Sequence, residues 1–373
     1  MVLKEVYKDI FYIGTAVESI HDQFTNNEIG NPDKEALIVR EFSSMTCANE
    51  MKPAYNMGWN SPDAREDYLP YVINPNAKKM LDWVRANGLK MRAHVMVWHS
   101  QCAQEAFCKE YKPVFEPVDE EKLKENPRLR FFQKLDPVCF VDRDTMLKRL
   151  ESYIDSMLEY IYREGYAEQI YAWDVVNEAI ELADKTETGL RNSYWYQVIG
   201  DDFIYWAFRF AKAAVLKLSV QYAGVYGIDP TDEAALARIR PTLVYNDYNE
   251  WQPDKKAAII AALKREGHGH GSIIGEGLID GIGMQGHISD NNTPPWKSRS
   301  STLSPDCANG SARARSRTWP RTRSVSWNVR VKTQWQSPSA TWKLTTGVFT
   351  ARSSRPWARR VNSCGTLSSP RHW

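Results

Sequence analysis

The chain has 373 residues, of which 43% are apolar and 25% charged, and its net charge is +2. It is long enough to bury one large core or two smaller ones. No apolar run reaches the roughly eighteen residues of a membrane span, so we expect no membrane partner. The N-terminal segment mixes charges with apolar side chains, unlike a signal peptide. We therefore expect a location that is cytoplasmic, or secreted with the signal peptide already removed.

The cysteines exclude two classes of small stabilised domain. The six of them lie at irregular spacings with no CxxC pair, at positions 47, 102, 108, 139, 307 and 364. This pattern is neither a disulfide framework nor a zinc signature, so we predict no metal site. Cys102, Cys108 and Cys139 could meet in one long loop, although free buried thiols are the favoured state.

Charge divides the chain into two parts. Residues 294–373 hold 15 Lys or Arg and a single acid, Asp306, for a net charge of +14. Residues 1–293 hold the other 33 basic and 45 acidic residues, for a net charge of −12. The tail also contains 7 of the 14 tryptophans and no Glu, Ile, Met or Tyr. We therefore divide the chain into a folded domain over 1–293 and a basic Ser/Arg/Trp-rich tail over 294–373.

Hydrophobic periodicity predicts strands that alternate with helices along the folded part. In chain order we predict a strand at 12–17, a helix at 33–42, a strand at 42–48, a helix at 77–87, a strand at 90–98, a charged insertion at 101–140, a helix at 144–163, a strand at 171–176, a helix at 194–218, a strand at 242–246, a helix at 255–265 and a strand at 278–285. This order is typical of a parallel sheet wrapped by helices. We predict an α/β (β/α)8 barrel, because no glycine-rich phosphate fingerprint supports the alternative, a doubly wound sheet.

Polar and aromatic residues cluster where the predicted strands end. They are Asn49, Lys52, His94, Trp98, His99, Gln101, Asn177, Glu178, Asn246, Tyr248, Gln285 and His287. In a barrel of this kind those ends form the active site. Aromatic rings stack on sugar faces, and amide and Lys groups match sugar hydroxyls. Taken singly, His94, His287 or Trp98 could be core residues, and Glu178 could be an ordinary loop glutamate. We expect burial against Trp173 to raise the pKa of Glu178 towards that of a general acid.

Four motifs carry a resemblance to a known family. WDVVNEA, RAHVMVWHSQ at 92–101, VYNDYNEW at 244–251 and DGIGMQGH at 280–287 resemble family-10 glycoside hydrolases, over about residues 8–290. The resemblance implies a retaining endo-β-1,4-xylanase that acts on xylan or xylo-oligosaccharides and needs no cofactor.

The resemblance also implies a role for each site residue. Glu178 would be the acid/base and Asn177 would bind the sugar 2-hydroxyl. Gln285 and His287 would hold the nucleophile, and Tyr248 would lie near the cleavage point. The remaining matches, Asn49, Lys52, His94, Trp98, Gln101 and Asn246, would be substrate-binding. Ala48 departs from the family, which usually has Glu there.

The nucleophile of the family is missing from the sequence. A retaining glycosidase needs a second carboxylate roughly 5 Å from the first. The resemblance places it on the seventh strand in a Thr/Ser-Glu-x-Asp motif, and nothing after His287 fits, since only Asp290 and Asp306 follow. Strands seven and eight are not recognisable either. We therefore predict an incomplete barrel with exposed sheet edges, and an enzyme that is inactive with this sequence.

The composition of the tail suggests a reading-frame shift near residues 293–295. Tryptophan has the single codon TGG, so a frame that starts at its last base gives GAA, for Glu, at Trp296-Lys297, Trp327-Asn328 and Trp342-Lys343. In the same frame, residues 324–328 could encode an echo of the nucleophile motif. Two rivals stay open. One is a xylan-binding barrel without catalysis, and the other is a basic aromatic arm for single-stranded nucleic acid, a partner that we do not expect.

Overall fold

The structure, a computed structural model, describes residues 2–19, 27–118, 124, 133–287, 326–329 and 347–351, the last two ranges as backbone strands. The strands are β1 (Phe11–Val17), β2 (Ser44–Cys47), β3 (Lys90–Trp98), β4 (Ile170–Asn177), β5 (Thr242–Asp247), β6 (Gly281–Met284), β7 (Ser326–Val329) and β8 (Gly347–Ala351). The helices are α1 (Leu3–Tyr7), α2 (Pro32–Glu41), α3 (Pro53–Asn56), α4 (Pro75–Ala86), α5 (Arg143–Arg163), α6 (Tyr194–Ile199), α7 (Phe203–Gln221), α8 (Glu233–Leu236) and α9 (Pro253–Lys264). Across these ranges no helix is both long and apolar enough to cross a bilayer.

The strands form one closed barrel in the order of the sequence. Strands β1 to β6 pair in parallel, and β7 continues parallel to β6 through Gly283 and Ser326. Strand β8 closes the barrel, but it runs antiparallel to both β7 and β1. The predicted α/β barrel is confirmed, with a reversed last strand.

Closure contradicts one expectation from the sequence. The prediction of an incomplete barrel with open edges is wrong, because β7 and β8 come from the tail and cover the edges of β6 and β1. Ladder hydrogen bonds use backbone groups, so an extended segment can pair whatever its side chains are. The predicted frame shift and the domain boundary at 293 stay predictions, and residues 288–325 lie outside the described ranges.

The helices around β4 follow from local sequence signals. Asp142 caps the N-terminus of helix α5, and its side chain accepts a hydrogen bond from the backbone N–H of Thr145 at 2.8 Å. The apolar face of α5 buries Met146, Leu150 and Ile154 at helical spacing. The single helix predicted over 194–218 is wrong. It is two helices, because Gly200 adopts a φ of +111° that ends α6 and starts a turn into α7.

A charged layer lies inside the barrel below the ends of the strands. Arg92 and Asp174 pair at 2.9 Å between Nε and Oδ1, and each side chain is 1% exposed. Arg92 also donates through Nη2 to Asn246 Oδ1 at 3.1 Å. Gly283 leaves room for this contact, since a Cβ there would clash with the guanidinium and lie 2.7 Å from Asn246 Oδ1. Charge and amide groups thus replace part of the apolar barrel core directly beneath the site.

Candidate active site

Glu178 follows the last residue of β4 and turns sharply out of the strand. Its φ is +55°, in the left-handed region that non-glycine residues seldom occupy. Its backbone N–H donates to the carbonyl of Asn246 at 2.9 Å, and its own carbonyl accepts from Arg191 Nε at 3.1 Å. These bonds hold the strained backbone in place, which is how functional sites usually keep such conformations.

Both oxygens of the Glu178 carboxylate accept hydrogen bonds from neutral side chains. Trp98 donates through Nε1 to Oε2 at 3.0 Å, and Gln285 donates through Nε2 to Oε1 at 2.7 Å. The two donors come from the ends of β3 and β6, on either side of β4 and β5. The ends of three strands, β3, β4 and β6, therefore meet at this one carboxylate, and β5 contacts the backbone N–H of the same residue.

The direction predicted for the pKa of Glu178 is wrong. Burial raises this pKa, as expected, but the hydrogen bonds from Gln285 and Trp98 and the nearby His99 and His94 outweigh burial and lower it below its usual value. Hydrogen bonds that favour the charged form could not be derived from β4 alone, because their donors come from other strands.

Asn177 lies beside Glu178 with one amide hydrogen-bonding group unused. Its Oδ1 accepts from Asn246 Nδ2 at 2.7 Å and from Gln285 Nε2 at 3.2 Å. Among the described residues, its Nδ2 is buried and has no partner. A buried donor without a partner is costly, so this group is well placed to bind a ligand oxygen. His287 completes the row by donating through Nε2 to Gln285 Oε1 at 2.9 Å.

A second polar group lies across the barrel mouth, after β2 and β3. Lys52 donates to Asn49 Oδ1 at 2.7 Å and to Gln101 Oε1 at 2.5 Å. Gln101 in turn donates to Asn49 Oδ1 at 3.1 Å. The Lys52 ammonium also lies 5.0 Å from the centre of the Trp98 ring, which ties this group to Glu178.

The side chains of His94 and Tyr248 are each held in the site by a carboxylate. Asp174 is buried, and its Oδ2 lies 2.8 Å from His94 Nδ1, which leaves the rest of a ring that is 17% exposed facing the mouth. Tyr248 donates to Glu181 Oε2 at 2.8 Å and accepts from Arg191 Nη2 at 3.0 Å. The structure therefore brings all the sequence-predicted residues to one end of the barrel.

Two residues of the site, Arg191 and Glu181, are not predicted by the sequence. Both lie in the loop after β4, and Arg191 donates to Glu181 Oε2 at 3.1 Å as well as to the Glu178 carbonyl. No strand end or motif marks them, so only an assembled loop could reveal them. The sequence predicts His99 as a strand-end residue, but it does not predict the protonation state of its ring. Burial first, and then Arg191, lower its pKa to about 4, so the ring is neutral at pH 7.

Comparison with known proteins identifies the family. The sequence profile described as Glycosyl hydrolase family 10 matches residues 2–310. The chain belongs to glycosyl hydrolase family 10. The resemblance in the four strand-end motifs is thereby confirmed, and the match extends beyond residue 290 into the tail.

Two curated relatives carry the name of xylanases. Endo-1,4-beta-xylanase B of Butyrivibrio fibrisolvens is 31% identical over 293 residues, which are 77% of this chain and 36% of that protein. Endo-1,4-beta-xylanase A of Thermotoga maritima is 32% identical over 294 residues, with coverage of 77% and 20%. The chain therefore spans well under half the length of these two relatives.

Solved family-10 structures share the fold. One contains the CBM22-1 and GH10 modules of an endo-1,4-beta-D-xylanase of Clostridium thermocellum, complexed with xylohexaose. It is 28% identical with a TM-score of 0.55, covering 77% of this chain and 46% of that one. A psychrophilic family-10 endo-beta-1,4-xylanase is 29% identical with a TM-score of 0.52, with coverage of 79% and 69%.

Strand β7 lacks the carboxylate expected for a family-10 nucleophile. It reads Ser-Trp-Asn-Val, and β8 reads Gly-Val-Phe-Thr-Ala, so neither contains Asp or Glu. Gln285, which the resemblance assigns to holding the nucleophile, donates instead to Glu178 and Asn177. Asp290 and Asp306, the last acids of the chain, lie outside the described residues.

Ala48 leaves a further gap in the family-10 pattern. Its backbone N–H donates to the carbonyl of Val17 at 2.9 Å, but its methyl group offers no hydrogen bond. A different carboxylate reaches the same polar group: Glu18, after β1, accepts from Asn49 Nδ2 at 2.5 Å. Burial, together with Glu50 and Glu28, raises the pKa of Glu18. An acidic oxygen is therefore present near Asn49 despite Ala48.

One group of described side chains has the composition of metal ligands. Asp201, Asp202 and His268 have donor atoms within 4.8 Å of one another. However, Arg265 pairs with Asp201 at 2.9 Å, and Arg143 pairs with Asp202 at 2.6 Å. A cation would have to displace two guanidinium groups, so this donor set is already neutralised by the protein.

Proposed function

We propose that this chain recognises β-1,4-linked xylan as an endo-β-1,4-xylanase of the retaining type, with Glu178 as the acid/base. The observation that carries the proposal is the convergence of the ends of β3, β4 and β6 on the Glu178 carboxylate. Beside it, Asn177 Nδ2 is buried and has no partner among the described residues. Membership of family 10 and the names of its curated relatives support the substrate class.

The acid/base role assigns two opposite proton transfers to one group. In the first step protonated Glu178 gives its proton to the glycosidic oxygen, and the bond between this oxygen and the anomeric carbon breaks while a nucleophile bonds to that carbon. In the second step the Glu178 carboxylate removes a proton from water, whose oxygen bonds to the anomeric carbon as the bond to the nucleophile breaks. The lowered pKa favours the second role at neutral pH, and the first requires acidic conditions or a bound sugar that excludes water.

No group on β7 can make the bond between the enzyme and the anomeric carbon, which must form during the first transfer and break during the second. A nucleophile must approach the anomeric carbon from the face opposite Glu178, and β7 carries Ser326, Trp327, Asn328 and Val329 where the family has its Glu. We therefore expect tight binding and little hydrolysis. The same observation supports a second candidate function, that of a barrel that binds xylan without turnover.

An external nucleophile distinguishes a site that lacks only its nucleophilic carboxylate from a site that cannot catalyse the reaction at all. With an aryl β-xylobioside that carries a good leaving group, azide can attack the anomeric carbon where β7 offers no carboxylate. We expect α-xylobiosyl azide as the product by NMR, and no detectable hydrolysis when azide is left out. Binding without azide transfer would support the xylan-binding barrel. Ordinary hydrolysis with retention and no azide would overturn the statement that the nucleophile is absent.

Binding measurements with two variants test the assignment of Glu178. Calorimetric titration with xylohexaose should show binding to the wild type and to Glu178→Gln, which keeps the shape of the side chain. The matched control is Glu164→Gln, on an exposed residue after α5. In the presence of azide, a substrate with a poor leaving group should react only in proteins that retain Glu178. Equal reaction by Glu178→Gln and the wild type would refute the acid/base role.

A further inference from the structure

The insertion over residues 101–140 brings two thiols together at its base. Cys108 Sγ and Cys139 Sγ lie 3.2 Å apart, and the two residues are 0% and 5% exposed. We propose that Cys108 and Cys139 form a disulfide that closes the insertion. The sequence favours free buried thiols here, and both cysteines carry free thiols in the structure.

The backbone around the two thiols is already held in a paired arrangement. Cys108 and Phe140 form an antiparallel bridge, and the N–H of Val141 donates to the carbonyl of Phe107 at 3.0 Å. A disulfide has an S–S bond of about 2.05 Å, so the sulfurs need to approach by roughly 1 Å. We expect rotation of the two side chains to supply that movement.

The pairing is selective among the described cysteines. Cys102, only six positions before Cys108, packs its Sγ 3.7 Å from the Met57 sulfur. Cys47 lies buried at the end of β2. Of the three cysteines that could meet in this loop, Cys108 and Cys139 are thus in contact, and Cys102 has a different neighbour.

The oxidation needs a small oxidant, for which we name a hydroperoxide. Cys139 is the less buried thiol. It loses its proton and attacks a peroxide oxygen, the O–O bond breaks, and the departing hydroxide takes up a proton, so that a sulfenic acid and one water form. The sulfur of Cys108 then attacks the sulfenic sulfur and the second oxygen leaves as water. Two thiols and one hydrogen peroxide give one disulfide and two waters. Burial raises the pKa of the Cys108 thiol, so its thiolate is scarce and the folded protein reacts slowly.

The cross-link would stabilise the aromatic residues that hold Glu178 in position. Phe107, next to Cys108, packs edge-on against Trp195 with ring centres 4.8 Å apart. Trp195 Nε1 donates to the carbonyl of Trp98 at 3.1 Å, and the Trp98 indole donates to Glu178. A continuous row of contacts therefore joins the base of the insertion to the acid/base. This proposal does not depend on the reaction that Glu178 catalyses.

The test is a peptide map of the full chain under non-reducing conditions. Reduced protein is treated with hydrogen peroxide, denatured and alkylated, and then digested. We expect a linked pair of peptides that contain Cys108 and Cys139, with a mass lower by two hydrogens, and alkylated Cys47 and Cys102. Cys108→Ser should abolish the link, and Cys47→Ser should leave it unchanged. The melting temperature should rise on oxidation of the wild type by several degrees, and should not rise in Cys108→Ser.

A second experiment removes the barrier that burial imposes. The denatured protein is refolded in a buffer of reduced and oxidised glutathione, so that the pair can form before the insertion packs. A specific link in either experiment supports the proposal. Alkylated Cys108 and Cys139 after both treatments, or links scattered over several cysteines, would overturn it.

Discussion

At the scale of single residues, the protonation of Glu178 depends on its two hydrogen-bond donors. Within the described part of the chain, both oxygens accept from neutral groups, the Trp98 indole and the Gln285 amide. A nearby carboxylate would raise the pKa of Glu178 by repulsion between like charges, as in many glycosidases. Here the donors favour the charged form and lower the pKa, so the acid form exists only at lower pH.

We predict that Trp98→Phe raises the pKa of Glu178. The ring that packs in the site is retained, but the donor to Oε2 is lost, so the charged form loses one of its two stabilising bonds. The protonated form then persists to higher pH. NMR titration of the Glu178 carboxyl carbon, assigned with Glu178→Gln, measures the shift. Trp83→Phe, on α4, is the matched control and should leave the titration unchanged. An unaltered titration in Trp98→Phe would show that this indole does not set the pKa.

Asp174 is the residue whose loss should cost most stability. It is buried with Arg92 and lies against His94. Asp174→Asn would leave the Arg92 charge buried without its partner, which costs about 3–5 kcal/mol in comparable pairs. Urea unfolding at pH 7 measures the loss. Asp155→Asn, which removes an exposed pair with Lys217, should cost less than about 1 kcal/mol.

The stability that Asp174 supplies should also depend on pH. Burial raises its pKa, but Arg92 and His94 outweigh burial and lower it below the unfolded value. A carboxyl with a depressed pKa contributes stability above its unfolded pKa and loses that contribution as pH falls through the folded pKa. The difference between the wild type and Asp174→Asn should therefore shrink in acid. A difference that stays constant down to pH 2 would contradict this account.

At the scale of elements, the packing of β6 depends on a glycine that lies very close to two side chains of other strands. Gly283 faces the Arg92 guanidinium and the Asn246 amide, with no room for a Cβ. We predict that Gly283→Ala destabilises the protein by about 1–3 kcal/mol, the usual cost of overpacking. Thermal unfolding measures the change. Gly224→Ala is the control, because a Cβ there has no neighbour within 4 Å. Equal melting temperatures for the two variants would refute the packing argument.

Local patterns predicted most elements because they record which face is buried. The strand predicted at 90–98 is β3 as observed, and the helix predicted at 144–163 differs from α5 by one residue. Strand β6 is shorter than the predicted 278–285, because Asp280 turns its side chain to accept from the N–H of Leu243. A side-chain contact with another strand is not visible in the periodicity of one segment.

The site was predictable where it lies at strand ends and unpredictable where it depends on contacts across the barrel. Trp98, Asn177 and Gln285 follow from the pattern because parallel strands end at one edge. Arg191 reaches Glu178 from a loop, and the sign of the Glu178 pKa shift depends on Gln285, which is 107 positions away. The arrangement of these groups is a property of the assembled barrel.

At the scale of the whole molecule, the barrel depends on a seam between its first and last strands. Strand β8 pairs with β1 from Phe11 to Gly14 and with β7 on its other side. We predict that Val348→Pro opens this seam, because proline cannot donate a ladder hydrogen bond. Hydrogen exchange at the amides of 11–14 should then quicken, and the amides of 91–97 in β3 should keep their protection. Unchanged exchange in β1 would show that β8 does not protect it.

The same pairing sets an order of events while the chain is being made. Phe11 and Ala351 are register partners although 340 positions separate them in the sequence. At about 5–20 residues per second of synthesis, β1 waits roughly 20–70 seconds before β8 exists. Throughout that interval the nascent sheet can grow only from β1 towards β6, and the outer backbone groups of β1 are open to pairing with another chain. A ribosome that slows within residues 288–346 prolongs that exposure. The time taken to synthesise the tail therefore sets how long β1 is open to aggregation through its unpaired edge.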